Sequence, residues 1–260
     1  MGPLVTLTTD FGTRDPYVAA LKGIFYSRIP SVRLVDITHE ILPFNPTMAL
    51  PFLIDTLPWF PEESFHLIVI DPGVGSERKS VAIHGPFGWA ILPDNGLPRL
   101  IHDWMGPISC FQIHSSFTNP GNDSPTFQAR DLFAPLLVKL ALGVPPEGIG
   151  WKIDPNNLAT VHQPLPENHL RIWNIDRFGN VLLGYKVEAP PFQVKVYSNN
   201  KEIPFVSRYQ DIPVGETGVL VNSSGWVEVF CREGSAARVL DLSIGQFLPV
   251  QIAGGMGRFF

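Results

Sequence analysis

The sequence contains few cysteines and few charged residues. Only two of its 260 residues are cysteine, Cys110 and Cys231, and they fit neither a disulfide framework nor the spacing of a metal site. Charged residues make up 17% of the chain and the formal net charge is −5. Proteins that bind the nucleic-acid backbone carry a basic face. We therefore expect a reduced, cytoplasmic protein that does not bind nucleic acid.

Long apolar runs are also missing, and we expect no signal peptide. No apolar run approaches the ~18 residues of a membrane-spanning helix. The chain passes directly into a strand-like segment, Leu4 to Thr9, without the regions of a signal peptide. A hydrophobic content of 45% excludes a disordered chain. These features predict a soluble globular protein, and the length is typical of about two domains at ~150 residues each.

Proline, in contrast, is abundant, with 26 residues in the chain, about twice the usual ~5%. Five prolines fall between Gly143 and His169, which predicts a linker or a long surface crossing. Others lie inside or beside the candidate motifs, where the proline ring fixes backbone angles next to candidate site residues. These are Pro16, Pro43, Pro72, Pro93 and Pro135.

Strand and helix patterns alternate in the first half of the chain. Asp15 is predicted to cap a helix whose first residue is Pro16. Short strands separated by turn residues follow His169. We therefore predict an N-terminal α/β domain with a mostly parallel sheet (1–150), a linker (151–168) and a C-terminal antiparallel β-barrel domain (169–260).

Three acidic, glycine-bearing turns follow predicted strands: Asp10-Phe11-Gly12, Asp71-Pro72-Gly73-Val74-Gly75 and Pro93-Asp94-Asn95-Gly96. Ligands of open α/β sheets bind at the carboxyl ends of strands. One such turn alone is most simply a turn or a helix cap, but three in one domain favour a site.

Several other motifs are incomplete. Gly73-Val74-Gly75 lacks the Gly-Lys-Ser/Thr of a phosphate-binding loop, and no Gly-x-Ser-x-Gly elbow occurs. The seven histidines include no His-x-x-x-His pair, so we predict no metal site.

Asp71 and Arg78 flank a glycine-rich turn seven residues apart. A carboxylate with an arginine folded beside it can hold and polarise one water molecule. An ordinary ion pair that closes the turn is the alternative. Gln128-Ala129-Arg130-Asp131 opens the last helix of this half, where Asp131 also suits the helix N-terminus.

Together, six segments resemble a known family. They are Thr8–Gly12, Asp36–Ile41, Val69–Ser76, Pro93–Leu97, Thr126–Pro135 and Ile175–Asn180. Their order and spacing resemble the S-adenosyl-L-methionine (SAM) hydrolases that form adenosine, also called SAM hydroxide adenosyltransferases, which are related to the fluorinase and chlorinase. The resemblance implies water attack at the ribose C5′ of SAM, with adenosine and L-methionine as products and no cofactor. It also implies a homotrimer with sites at subunit interfaces.

The resemblance also implies residue roles. Water would be oriented by Asp71, Arg78 and Gln128. Asp10 would hold the ribose hydroxyls, Phe44 would wall the ribose, and Asp15 would meet the substrate ammonium. Substrate binding is further implied for Asp94, Asn95, Asp176, Phe178, Asn180, Asn222, Ser223 and Arg232. Of these, Asp176, Phe178 and Asn180 would contact the methionine end, and Asn222, Ser223 and Arg232 would border the adenine.

The sequence departs from its relatives at several positions. The halogenases carry a tyrosine at the place of Asp71 and a serine or glycine at that of Ala129, so halide chemistry is disfavoured here. Gln128 replaces the histidine usual in the hydrolases, and Arg232 replaces an asparagine. Three hypotheses remain open: a SAM hydrolase, a non-catalytic or very slow binder of SAM or adenosine, and C5′ substitution by another nucleophile.

Overall fold

The chain forms two compact units, each built around its own sheet. A computed structural model describes residues 2–114, 126–161, 165–189 and 192–259. The first unit comprises Met1–His162 and the second Gln163–Phe260. The range 151–168, for which the sequence predicted a linker, begins inside a strand of the first unit, Gly150–Ile153.

The first unit contains a seven-stranded sheet in the order β2-β1-β3-β5-β4-β6-β7. Its strands are β1 (Leu4–Thr9), β2 (Arg33–Thr38), β3 (Phe65–Val69), β4 (Ser80–Gly85), β5 (Gly88–Pro93), β6 (Ser109–Ile113) and β7 (Gly150–Ile153). The strands β2, β1, β3 and β5 pair in parallel, whereas β5, β4, β6 and β7 pair antiparallel. The sheet is thus mixed, with its parallel half where the sequence alternates strand and helix.

Four α-helices accompany this sheet: α1 (Tyr17–Arg28), α2 (Leu50–Thr56), α3 (Leu97–Met105) and α4 (Ala134–Ala141). A π-helical turn, Ala129–Phe133, leads into α4. Leu21 and Phe25 of α1 and Leu137 of α4 are fully buried in the core that covers β1 and β3. Burial of large apolar side chains is the main force that holds helices on a sheet.

The predicted start of α1 was wrong by one residue. The helix begins at Tyr17, Pro16 occupies the cap position, and no side chain caps the helix. Asp15 is exposed to solvent. Proline is equally compatible with this position because its fixed φ angle suits a helix entry.

The second unit is a nearly closed antiparallel barrel with strand order β11-β10-β14-β8-β9-β13-β12 and β15 paired to β9. Its strands are β8 (His169–Ile175), β9 (Val181–Ala189), β10 (Gln193–Ser198), β11 (Lys201–Ile203), β12 (Thr217–Val221), β13 (Trp226–Cys231), β14 (Phe247–Ala253) and β15 (Met256–Phe259). A short helix, α5 (Ala236–Val239), follows β13. The predicted C-terminal antiparallel barrel is therefore confirmed. None of the helices in the described residues is long and apolar enough to span a bilayer.

Candidate active site

A cavity of about 380 Å³ lies in the first unit where β1 and β3 end. Asp10 directly follows β1, and Asp71 comes two residues after the end of β3. The two strands are parallel neighbours with Thr9 opposite Val69, so their carboxyl ends deliver both acids to one place. The cavity is lined by Asp10, Phe11, Tyr17, Pro43, Phe44, Val69, Asp71, Val74, Thr126, Phe127, Gln128 and Ala129.

Asp71 and Arg78 form a bidentate ion pair at the wall of this cavity. Arg78 Nε donates to Asp71 Oδ1 over 2.8 Å, and Arg78 Nη2 donates to Asp71 Oδ2. The side chains are only 5% and 10% exposed. Arg78 Nη1 also donates to Ser80 Oγ over 2.8 Å, and the guanidinium lies over the Phe133 ring. The Asp71 carboxylate is consequently held in one orientation, as the seven-residue spacing suggested.

Gln128 joins this pair through the same guanidinium. Arg78 Nη2 donates to Gln128 Oε1 as well as to Asp71 Oδ2. A guanidinium can only donate, so Gln128 must present its oxygen to it and keep its NH₂ group for other partners. The Asp71 carboxylate, an acceptor, and the Gln128 NH₂ group, a donor, therefore lie near each other in the cavity lining. Arg78 contacts both side chains and holds them in place.

Asp10 and Phe44 meet in the lining of the same cavity. The Phe44 backbone N–H donates to Asp10 Oδ2 over 3.2 Å. Phe44 is 77% exposed and has a φ angle of +64°, a strained conformation for a non-glycine residue. Burial raises the pKa of Asp10, the Phe44 N–H opposes this shift, and the nearby Asp71 carboxylate adds to it. An ionised Asp10 is therefore under-solvated and suited to accept hydrogen bonds from hydroxyl groups.

Three aromatic rings complete the cavity and were not predicted as site residues. The ring centroids of Phe11, Tyr17 and Phe127 lie 5.3 to 5.9 Å apart in tilted or edge-to-face contacts. Phe11 and Phe127 adjoin Asp10 and Gln128 in the sequence, so their positions beside the recognised motifs were the available signal. These rings give the cavity a largely aromatic surface beside its acidic residues.

Asp15, Asp94 and Asn95 do not line this cavity. The Ala159 N–H donates to Asp94 Oδ1 over 2.9 Å, and burial raises the pKa of Asp94. Asn95 Nδ2 donates to the Ile70 carbonyl over 2.7 Å. Asn95 therefore braces the residue next to Asp71 rather than facing the cavity.

A second cavity, of about 890 Å³, lies in the barrel unit and is lined by Asp176, Phe178, Asn180 and Arg232 among others. Asp176 Oδ1 accepts the backbone N–H groups of Phe178 and Asn180, each over 2.9 Å, and Asp176 Oδ2 accepts Asn180 Nδ2 over 3.0 Å. Asp176 thus organises the turn that presents the Phe178 ring, which is 71% exposed.

The remaining predicted residues of the barrel unit have other surroundings. Arg232 Nη1 donates to the Ile212 carbonyl over 2.9 Å. Asn222 and Ser223 do not line the second cavity. Asn222 Nδ2 donates to the buried Glu228 over 3.0 Å, and Ser223 is exposed. Glu228 also accepts the hydroxyl of the cavity residue Tyr209 over 2.8 Å, a bond that sequence reasoning did not reveal.

Asp10 and Asp71, the two acids of the first cavity, each follow a strand of the α/β unit, and an antiparallel barrel follows this unit in the sequence. Comparison with protein families identifies the class of proteins that has this arrangement. The family models for the SAM hydroxide adenosyltransferase N-terminal and C-terminal domains match residues 5–150 and 170–248. The chain belongs to the SAM hydroxide adenosyltransferase family.

Individual relatives refine this class. The (R)-S-adenosyl-L-methionine hydrolase of Thermus thermophilus is 33% identical over 95% of this chain and 98% of its own length. A fluorinase from Actinoplanes sp. (strain N902-109) is 24% identical over 95% of this chain and 97% of its own length. The crystal structure of an uncharacterized conserved protein from Thermotoga maritima superimposes with a TM-score of 0.82 at 27% identity and covers 95% of this chain and 99% of that one.

No group of three or more His, Cys, Asp or Glu side chains in the described residues is arranged to hold a metal ion. Among the described residues, the charged groups that line the first cavity are the carboxylates of Asp10 and Asp71, and the Arg78 guanidinium contacts both Asp71 and the Gln128 amide.

Proposed function

We propose that this protein hydrolyses SAM to adenosine and L-methionine by attack of water at the ribose C5′. The observation that carries the proposal is the arrangement of the Asp71 carboxylate and the Gln128 amide, both fixed by Arg78 at the wall of the first cavity. The similarity to named SAM hydrolases over 95% of the chain supports it.

The paired side chains can hold one water molecule. Each carboxylate oxygen of Asp71 accepts one hydrogen bond from Arg78 and has a second acceptor site left. A water molecule can donate to that site and accept from the Gln128 NH₂ group. This fixes the lone pair of the water toward the cavity, and orienting a nucleophile in this way lowers the entropic part of the barrier.

The reaction needs little further assistance. A C–O bond forms at C5′ while the C5′–S bond breaks and its electron pair passes to the sulfonium sulfur. The leaving group is a neutral thioether, so no acid is required. The water loses one proton, for which Asp71 is the neighbouring hydrogen-bond acceptor. Phe11, Tyr17 and Phe127 keep other water molecules away from the reacting atoms.

Substrate contacts are assigned to both units. Asp10 would accept the ribose hydroxyls, and Phe44 would cover the ribose. We assign the methionine end to Asp176, Phe178 and Asn180, and the adenine to Asn222, Ser223 and Arg232. The ammonium contact of Asp15 and the substrate contacts of Asp94 and Asn95 remain proposals that rest on the family resemblance.

The proposal also covers the cofactor requirement, the oligomeric state and the cellular compartment of the protein. SAM is itself the activated substrate, so no cofactor is proposed. A homotrimer with sites at subunit interfaces follows from the resemblance. Two free cysteines, Cys110 and Cys231, support a reducing cytoplasmic environment.

Non-catalytic binding of SAM or adenosine is the second candidate, and Gln128 favours it. An amide cannot take up a proton near neutral pH as a histidine can. Substitution at C5′ by a halide is disfavoured because the Asp71 carboxylate would repel an anion.

Product analysis tests the proposal. Incubation of the wild-type protein with SAM should give adenosine and methionine in equal amounts, separated by liquid chromatography. Asp71→Asn preserves the shape of the side chain and should lower the rate about 100-fold or more, a typical loss for a catalytic proton acceptor. Asp103→Asn removes an exposed carboxylate paired with Arg99 on α3 and should not change the rate. Intact SAM, bound but never cleaved, would establish the second candidate instead.

A further inference from the structure

One series of contacting side chains leads to Thr9, the residue before Asp10 of the first cavity, and has no role in the reaction described above. His39 is buried, with 5% exposure, in the loop that follows β2. Its Nδ1 lies 2.8 Å from Thr9 Oγ1, and its Nε2 lies 3.2 Å from Asp36 Oδ1. Asp36 Oδ2 in turn accepts Lys22 Nζ over 2.6 Å. The chain of contacts thus runs from α1 through β2 to the end of β1.

This order of groups matches the hydroxyl, imidazole and carboxylate of a nucleophilic triad, but the location excludes that chemistry. Thr9 is 0% exposed, so its hydroxyl cannot reach a substrate. Thr9 Oγ1 also accepts the Phe11 backbone N–H over 3.2 Å. The hydroxyl is therefore engaged within the fold, and any role of the chain in the reaction must be indirect.

The loops on either side of His39 carry residues of the cavity. The His39 carbonyl accepts the Gly12 N–H over 2.7 Å, and the Ile41 N–H approaches the Thr9 carbonyl at 3.4 Å. These bonds join the turn that begins at Asp10 to the loop that ends at Phe44. The Phe44 N–H closes the same connection on Asp10 Oδ2.

Asp36, the carboxylate that contacts both Lys22 and His39, is held in its charged form. Burial raises the pKa of Asp36, but the hydrogen bond from Lys22 and the nearby His39 imidazole outweigh this effect and bring the pKa below its ordinary value. An ionised Asp36 favours the imidazole tautomer with its proton on Nε2. Nδ1 then accepts the Thr9 hydroxyl proton, which leaves Thr9 Oγ1 free to accept the Phe11 N–H.

We infer that His39 is a positioning residue that joins the Asp10 turn to the Phe44 loop and so sets the geometry of ribose binding. His39 touches neither the substrate nor the attacking water. It acts through Thr9, and its loss would let the two loops move apart while the Asp71–Arg78–Gln128 group stays intact. The ribose contact rests on the proposed function, whereas the joining of the two loops does not.

A second buried threonine–histidine pair in the protein serves as a matched control for His39 and Thr9. His66 is also fully buried, and its Nδ1 lies 2.7 Å from the hydroxyl of Thr6 on β1, while its Nε2 lies 2.7 Å from the Phe87 carbonyl. This second threonine–histidine pair lies within the strands and not at the loops. A merely structural role for buried histidines predicts the same outcome for both.

The first experiment measures amide hydrogen exchange and does not depend on activity. In His39→Ala, the amides of Phe11, Gly12, Ile41, Leu42 and Phe44 should exchange about tenfold faster or more relative to other loops. The reason is that local opening of these loops no longer breaks the hydrogen bond between His39 and Thr9. His66→Ala should lower global stability without this local acceleration. Equal exchange at these loops in His39→Ala and the wild type, or an equal effect of His66→Ala, would overturn the inference.

The second experiment uses kinetics. His39→Ala and Thr9→Val should raise the KM for SAM about tenfold, the effect of roughly one or two lost hydrogen bonds, with kcat changed less than about twofold. His39→Asn keeps a group near the position of Nδ1 and should recover part of this loss. A fall in kcat at constant KM, or no recovery by asparagine, would overturn the positioning role. If the wild type fails to cleave SAM, the proposed function fails, and the exchange result still decides whether His39 joins the loops.

Discussion

Among single residues, Gln128 distinguishes a hydrolase from a binder, because its amide can form hydrogen bonds but cannot carry a proton near neutral pH. Arg78 Nη2 donates to Gln128 Oε1 and to Asp71 Oδ2, so the Gln128 NH₂ group is left to donate to a water molecule. A glutamine does not titrate between about pH 6 and 8, unlike a histidine with an ordinary pKa of ~6.5. The wild-type rate should therefore be flat across this range.

Gln128→His should introduce a titration into the pH–rate profile. The ring nitrogen that takes the place of Gln128 Oε1 must be unprotonated to accept from Arg78, whereas the adjacent Asp71 carboxylate favours the imidazolium. An inflection should therefore appear between about pH 5 and 8, with higher activity on the alkaline side where the imidazole is neutral. Measurement of kcat from about pH 5 to 9 for both proteins checks this. A wild-type profile with the same inflection would contradict the assignment of Gln128.

Asp10 gives a second prediction, which concerns stability. Burial raises the pKa of Asp10 in the folded protein above the unfolded value near 3.8, so ionisation of Asp10 opposes folding. Asp10→Asn should therefore raise the thermal midpoint at pH 7. The gain should shrink as the pH falls through the raised pKa and disappear below about pH 4, where the wild-type carboxyl is protonated in both states.

Calorimetric melts of Asp10→Asn at pH 7 and at about pH 4 measure this difference, with Asp103→Asn as the control for loss of an exposed carboxylate. The same Asp10→Asn protein should bind adenosine more weakly, because its amide accepts hydroxyl protons less well than a carboxylate. A variant that is less stable than the wild type at pH 7 would contradict the burial argument.

Some of these residue contacts could be predicted from the sequence and others could not. The seven-residue spacing of Asp71 and Arg78 across a glycine turn indicated their ion pair. The approach of Gln128, fifty positions further on, follows from tertiary packing, and only the family resemblance grouped it with them. The engagement of Asn222 by the buried Glu228 had no signal, because one glutamate in a strand does not reveal its partner.

At the scale of elements, the turns after strands place the site residues. The strand prediction for β1 was confirmed to the residue, because its β-branched sequence ends in a clear turn signal. The sequence did not predict α3 or β7. Helix α3 is short and carries a proline in its first turn, and β7 lies in a proline-rich stretch whose composition suggested a linker. Local composition cannot reveal a strand that is stabilised by pairing with β6.

The turn from Asp176 to Asn180 provides the prediction at this scale. Gly179 has a φ angle of +87°, and a Cβ atom there would lie 2.0 Å from Ser235 Oγ. Gly179→Ala should lower the free energy of unfolding by about 2–4 kcal/mol, through both the left-handed backbone and the clash. Gly215 has a similar φ of +84° but open space around its Cβ position. Gly215→Ala should therefore cost only about 1 kcal/mol.

Urea unfolding of both alanine variants measures the difference between them. The gap isolates the contact between Gly179 and Ser235 from the cost of a positive φ angle, since both substitutions share that cost. Equal destabilisation by the two substitutions would mean that the Ser235 region moves aside easily. The second cavity, which Asp176 and Phe178 line, would then be able to change its shape rather than being rigidly preformed.

At the scale of the whole molecule, each unit was predictable in its class and only partly in its detail. Alternating strands and helices indicated the α/β unit, and short strands between turns indicated the barrel. In the antiparallel half of the first sheet, the strands β6 and β7 were not predicted.

The molar mass of the protein in solution tests the proposed homotrimer. Light scattering on the eluted protein should give three times 28.8 kDa, or about 86 kDa. If the active site is shared between subunits, specific activity should fall on dilution together with the trimer fraction. A monomer of full activity would contradict both the assembly and the shared site.

The central claim is that water, held by Asp71 and Gln128, attacks the C5′ carbon of SAM. Turnover in H₂¹⁸O, followed by mass spectrometry of the nucleoside, tests it most directly. In the wild type, ¹⁸O should be incorporated into the 5′ position of adenosine at every turnover, and Asp71→Asn should slow this labelling together with product formation. Intact SAM, or a nucleoside with a different atom at C5′, would contradict it.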